Sequence, residues 1–348
     1  MDKGAVFVFP MLFKRVNGFQ IASPRAAPGP QATECLQIDE ILVEIIRLSL
    51  EPQDNSYLVS IRHTITSLVS RAWRSCINKT PSLWSSILLS PDMSQEGIDH
   101  QFNCAKSISK DVYIDLITPA LFHIFPLRLG SIPFGSTHVL AFIVPHLLAH
   151  AGTIHPLSFR AHNYVGWNDF ARRLQSVPMA AFKTISIDIP RATPHPLQLI
   201  PIVASPQLLN LNQGSLQCVA ASYAALETLI LGGSVFSAAD ATAFLDILHV
   251  LSQTKHLRHL RLDDSDNTTW LSGFARIHLP HLLSLAIICT RHTHRGGCGK
   301  LASYLVTPSL KALMVSGAHR LEVSVVNPEK FLLVAVLTLT GMDCRDAA

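Results

Sequence analysis

Four side chains of metal-binding type fall within ten residues of one another: Cys289, His292, His294 and Cys298. Two thiolates and two imidazoles make a tetrahedral zinc donor set. Their spacing matches no common zinc motif, however, and Arg291 and Arg295 beside them oppose a cation, so no metal is expected. Gly296, Gly297, Gly299 and Lys300 have the residue types of a phosphate-cradling loop without its G-x-x-x-x-G-K-[ST] spacing. Asp263, Asp264 and Asp266 follow Leu262 as an acidic turn at a strand end, where contact with a target is open. No G-x-S-x-G elbow, H-E-x-x-H pair or G-x-G-x-x-G loop after a strand occurs. The sequence therefore assigns no catalytic, metal or cofactor residue, and the expectation is a protein that is not an enzyme.

The elements around these residues share one shape. Phe182-x-x-Ile185-x-Ile187, Leu226-x-x-Leu229-x-Leu231, Leu257-x-x-Leu260-x-Leu262, Leu282-x-x-Leu285-x-Ile287, Leu310-x-x-Leu313-x-Val315 and Val334-x-x-Leu337-x-Leu339 repeat a single template. Their starts are separated by 44, 31, 25, 28 and 24 residues, close to the period of about 20 to 29 expected of leucine-rich repeats. The 44-residue gap implies an extra turn around Leu209 and Leu211. Helices are expected between strands at residues 169–177, at 238–251 with Phe244, Leu245, Leu248 and Leu251 on one face, and at 301–306. Strands at 111–116 and 157–159 extend the pattern backwards.

One strand and one helix per unit give parallel strands through right-handed crossovers. A single unit cannot bury its apolar face, so units stack and share a core. The expectation for residues 91–348 is an α/β array, an irregular leucine-rich-repeat-like solenoid with parallel strands; an ordinary α/β sheet fits the same alternation. The Asn or Cys that forms a ladder in regular repeats is replaced by Ser234, Ser265, Thr290 and Ala318, which predicts an irregular arc. Val334 to Leu339 reads as a last strand with no polar cap after it.

Residues 35–90 read differently. Ile38, Ile41, Leu42, Ile45 and Ile46 fall on one helical face, with Asp39 and Glu40 in the first turn. Leu58, Ile61, Ile65, Leu68, Val69, Ala72 and Trp73 make a second stripe. Thr80-Pro81 opens a third, short helix carrying Leu83, Trp84 and Ile87.

The ordered blocks Ile38-Asp39-Glu40-Ile41-Leu42-Val43-Glu44-Ile45-Ile46, Val69-Ser70-Arg71-Ala72-Trp73-Arg74 and Thr80-Pro81-Ser82-Leu83-Trp84-Ser85-Ser86-Ile87 resemble the F-box-like domain of large fungal families, a short three-helix unit. Members of that family dock the Skp adaptor of a cullin-RING ubiquitin ligase. Many join the box to leucine-rich repeats. By this resemblance Ile38, Glu40, Ile41, Leu42, Ile45, Val69 and Trp84 meet the adaptor or support the face that does, and Trp73 is core. The family opens its first helix with Leu-Pro, where this chain has Gln37-Ile38. The resemblance implies a substrate-recognition adaptor subunit of an SCF-type ligase, bound through the Skp adaptor to a cullin and through its repeats to a protein target. A repeat-type interaction protein without ligase association is the alternative.

Composition bounds the remaining classes. The 348 residues are 48% hydrophobic and 15% charged, with a net charge of +4, which excludes a disordered chain. The basic residues form no stripe, so no nucleic-acid partner is expected. Residues 129–159 and 192–226 carry no charged side chain, yet proline and glycine interrupt both, so neither reads as a membrane span. Seven widely spaced cysteines suit a reducing compartment, cytoplasmic or nuclear. Residues 1–34 read as a loose tail with Pro24, Pro28 and Pro30. Their short apolar run lacks the small-residue cleavage site of a secretory signal, and a transit peptide is the other reading.

Overall fold

The computed structural model describes residues 40–41, 43–45, 71–91, 93–117, 136–174, 179, 182–189, 201–212, 219–221, 223–233, 241–264, 276–289, 305–316 and 333–340. The chain divides into two units between Leu42 and Val43. In the first unit Glu40 and Ile41 are described, and both are helical.

In the second unit, helix α1 (Arg71–Lys79) leads into a 3-10 turn, Pro81–Trp84. Proline suits the first position of such a turn because its missing N–H would be unsatisfied there anyway. The Thr80 hydroxyl donates to the Cys76 carbonyl at 2.8 Å, and the buried Trp84 indole N–H donates to Ile77 O at 2.9 Å. The third helix expected from the sequence stops here. Ile87 lies instead on a strand, β1 (Ser86–Leu89), because Ile87, Leu88 and Leu89 are all buried once the strand pairs with its neighbour.

Ten strands form one sheet, and every pair in it is parallel. They are β1, β2 (Lys110–Asp115), β3 (Ile154–Arg160), β4 (Thr184–Asp188), β6 (Leu208–Asn212), β8 (Thr228–Gly233), β9 (His259–Asp264), β11 (Ser284–Cys289), β13 (Ala312–Ser316) and β14 (Val336–Thr340), in that spatial order. The missing numbers are short strands set apart as two parallel pairs: β5 (Ile202–Ala204) with β7 (Val219–Ala221), and β10 (Ile277–His278) with β12 (Leu305–Val306). Spatial order thus follows chain order throughout. The result is mixed α/β with a large parallel sheet.

The register explains why the template works. Ile185, Leu209, Leu229, Leu260, Leu285 and Leu313 stand opposite one another, as do Ile187, Leu211, Leu231, Leu262, Ile287 and Val315. All twelve are buried. The first residue of five templates closes a turn: Phe182, Leu226, Leu257, Leu282 and Leu310 each donate their N–H to the carbonyl three residues back. The residue after it has a second role. The carbonyls of Lys183, Gln207, Glu227, Arg258, Leu283 and Lys311 each accept two consecutive N–H groups from the next unit, at 2.8 to 3.0 Å. The 44-residue gap is filled as expected by Leu209 and Leu211 on β6, with the buried Pro206 at the template's first position. Proline has no N–H, so this unit cannot make the closing bond.

Helices pack over parts of the buried face. In α2 (Gln95–Ala105), capped by the Ser94 hydroxyl on Gly97 N–H, Ile98 and Phe102 are buried; α3 (Ser136–Ala149) buries Leu140, Ile143 and Leu147. Helix α4 (Tyr164–Leu174) starts five residues before the expected 169, because the Asn163 side chain caps the N–H groups of Val165 and Gly166. Its Trp167 and Phe170 pack on Phe159 of β3 with ring centroids 5.1 and 4.6 Å apart. Helix α5 (Ala241–Gln253) buries Ile247, Val250 and Leu251. The helix expected at 301–306 is overturned at its end, where Leu305 and Val306 form β12. Pairing with β10 there buries Leu305 against Ile277, whereas two apolar residues make less than a helical turn. No described helix is long and apolar enough to cross a membrane.

The contact of α2 with α3 carries charge into the interior. His146 Nε2 lies 2.6 Å from Asp99 Oδ1, and Phe102 is stacked against both His146 and His150. The buried Lys110 ammonium donates to the Lys106 and Ile108 carbonyls and to the Thr153 hydroxyl, at 2.5, 3.0 and 3.1 Å. Burial, with Lys110 and His146 adding repulsion, pushes the His150 imidazole below its ordinary value of 6.5. A depressed histidine contributes stability that is complete above pH 6.5 and lost as pH falls below it. The urea midpoint should therefore fall between pH 7 and pH 5, with a shallower fall in His150→Asn. Leu229→Ala should cost about 3 kcal/mol in urea denaturation and outward-facing Ile230→Ala less than half as much, which checks which sheet face is core.

Candidate docking face

Residues between the buried positions of each strand project to the opposite face of the sheet, since side chains alternate along a strand. Across β2 to β14 the central row reads Tyr113, Ser158, Ser186, Asn210, Ile230, Arg261, Ala286, Met314 and Thr338. The row at the carboxyl ends reads Asp115, Arg160, Asp188, Asn212, Gly232, Asp263, Ile288, Ser316 and Thr340. The inner rows are buried, whereas most of these outer residues are partly or fully exposed. The face changes character along its length. Charge is concentrated from β2 to β9, and the rows over β11, β13 and β14 carry uncharged residues, Ala286, Ile288, Ala312, Met314 and Val336 together with Ser284, Ser316, Thr338 and Thr340.

Position in the strand explains the charge cluster. Asp115, Arg160 and Asp188 each follow the last buried apolar residue of their strand, and the in-register parallel pairing sets them side by side. Arg160 Nη1 lies 3.6 Å from Asp115 Oδ2, and Arg160 Nε lies 3.2 Å from Asp188 Oδ2. Asp115 is buried and also accepts from the Ile117 N–H at 2.8 Å. Burial pushes the Asp188 carboxyl above its ordinary value, Arg160 pulls it back and Asp115 pushes it up further. Asp111, at the start of β2, is likewise pushed up by burial, with His155 opposing. Three strands along, Arg261 Nε donates to Asp263 Oδ1 at 2.9 Å. Between the two clusters a Cβ at Gly232 would stand 3.1 Å from Asn212 Oδ1, so glycine leaves that amide its place.

The residues singled out in the sequence fall in several places. Glu40, Ile41 and Ile45 are helical and exposed, Ile41 at 60% and Ile45 at 50%. Trp84 is buried at the start of the first strand unit. Ile38, Leu42 and Val69 lie outside the described residues. So do His292, His294, Cys298 and Asp266, and the glycine-rich run at 296–300. Cys289 ends β11, and Asp263 and Asp264 end β9 rather than forming a turn beyond it. Among the described residues no three His, Cys, Asp or Glu side chains are grouped to hold a metal. The cluster around Arg160 was not singled out. Its signal was a column in the sequence, the residue just after the last apolar position of each unit.

With Arg160 removed, Asp188 faces buried Asp115 without a cation between them. Arg160→Met should cost about 2 kcal/mol at pH 7, a figure reduced because the guanidinium is partly exposed. The raised Asp188 value means that the folded variant takes up a proton first, so its deficit should narrow from pH 7 to pH 5 when urea midpoints are compared with the unsubstituted chain. Set against known proteins, the chain matches no family model and no curated protein.

Proposed function

We propose that the chain is a substrate-recognition adaptor subunit of an SCF-type cullin-RING ubiquitin ligase, working in the cytoplasm or nucleus. In this reading the F-box-like helices of residues 35–90 bind a Skp-type adaptor. Residues 91–348 form an irregular leucine-rich-repeat-like solenoid whose sheet face takes a protein target. The observation that carries the reading is the parallel sheet laid down in chain order, with the same shared carbonyl between successive units from β4 to β14 and the same turn at the start of five of them. A repeating strand unit of this kind supports an extended binding surface. Ile41 and Ile45, each exposed within its own unit, support the adaptor half, because a large aliphatic side chain in water is what a protein interface covers.

The mechanism is proximity. Holding target and ligase on one chain raises the effective concentration of target lysines beside the charged conjugating enzyme, without a chemical step on this chain. The substitution of Gln37-Ile38 for the family's Leu-Pro favours a second reading, a repeat-type interaction module that has left the ligase.

Co-expression with a Skp adaptor distinguishes them. The full chain should co-purify with the adaptor, and Ile41→Asp with Ile45→Asp should reduce recovery at least tenfold while thermal melting stays unchanged. Recovery unaffected by that pair, or no adaptor retained by the unsubstituted chain, defeats the ligase reading and leaves the interaction module.

A further inference from the structure

We infer that the amino-terminal margin of the sheet, over β9, β11 and β13, takes a carboxylate-rich segment of a polypeptide partner. This rests on the reading of residues 91–348 as the target-binding part, whose target chemistry it names, and is independent of adaptor binding. Register lays the margin out. The residues just before β8, β9, β11 and β13 stand in one row, Glu227, Arg258, Leu283 and Lys311, joined by the shared carbonyls. Immediately before the leading leucines of β9 and β11 stand His256 and His281. Both are exposed, and their rings lie 14° from parallel with centroids 6.2 Å apart, so stacking of the units brings the two turns side by side. Exposed Lys255 precedes His256, and exposed His259 opens β9.

The charge on this margin has no counterpart. Arg160, Arg173 and Arg261 each have a carboxylate partner. Among the described residues no ion pair includes Lys255, Arg258 or Lys311, and none joins Arg258 to Glu227, its neighbour in the row. Lys255 follows the carboxyl end of α5, where a cation offsets the helix dipole. Arg258 and Lys311 have no such local use: both are exposed, two strand spacings or about 10 Å apart, with partly buried Leu283 between them. Three cations against Glu227 leave the margin net positive, and the paired imidazoles add N–H donors that carboxylate oxygens accept. An extended chain advances about 3.4 Å per residue, so two carboxylates roughly three residues apart reach Arg258 and Lys311 together. A nucleic acid fits less well, because single strands bind where aromatic side chains offer stacking platforms along a basic groove, and the described residues of this margin include no exposed Phe, Tyr or Trp.

Fluorescence anisotropy of the full chain with labelled peptides tests the inference, using a repeat of Glu-Glu-Ser and the same peptide with Gln in place of Glu. The Glu peptide should bind, the Gln peptide at least tenfold more weakly, and raising NaCl from about 0.05 to about 0.3 M should weaken the Glu peptide, as expected for screened charges. Arg258→Gln with Lys311→Gln should reduce its affinity at least tenfold with thermal melting unchanged. Arg71→Gln with Arg172→Gln removes the same charge from exposed positions elsewhere and should change it less than twofold. No binding of the Glu peptide, equal binding of the Gln peptide, equal loss in the two variant pairs, or tighter binding of a single-stranded oligothymidylate overturns the inference. Because the assay contains no Skp adaptor, its outcome is separate from that of the ligase test.

Discussion

Six carbonyl groups, on Lys183, Gln207, Glu227, Arg258, Leu283 and Lys311, each accept two N–H groups from the unit that follows. That shared acceptor fixes where the next strand begins, and with it the register of the sheet from β4 to β14. A slip by one residue would turn every buried leucine to the outer face. The two aliphatic ladders and the aligned outer rows therefore follow from one recurring backbone contact.

Burial in this arrangement is supplied by neighbours. Leu229 and Leu260 lie between strands on both sides and are 0% and 1% exposed, whereas Leu337, at the equivalent position of β14, is 54% exposed with β13 beside it. The same side chain at the same template position thus differs in burial with its surroundings. Stability in such a sheet is a sum of unit and interface contributions rather than a property of each unit.

Much of this was legible because the template states it. Period-two alternation with a leading leucine gave the strands of the later units, and the gap around Leu209 and Leu211 gave one more. Pro206 concealed that unit, since proline at the first position departs from the pattern while still filling the apolar site. Ile87 was misplaced for a different reason. Thr80-Pro81 is a sound start for a helix, and the turn does form, but the pull of β2 on three consecutive apolar residues ends it after Trp84. At Leu305 and Val306 local helical spacing likewise yields to a partner strand distant in sequence. Such partners are invisible to any window of neighbouring residues.

The charge cluster was hidden by distance as well. Asp115 and Asp188 are 73 positions apart and Arg160 lies between them, so no local motif links them. Only parallel stacking converts a position within each unit into a row. The cost of burying Asp115 constrains that row, because a carboxylate taken from water needs hydrogen-bond donors and a cation, and Arg160 and the Ile117 N–H answer part of that need. Lys110 shows the same logic in the interior, where three oxygens receive one ammonium. At Lys110 all three ammonium protons have acceptors, which makes it a fastening of the fold, and on the outer face Arg160 links Asp115 and Asp188 across three strands in the same way.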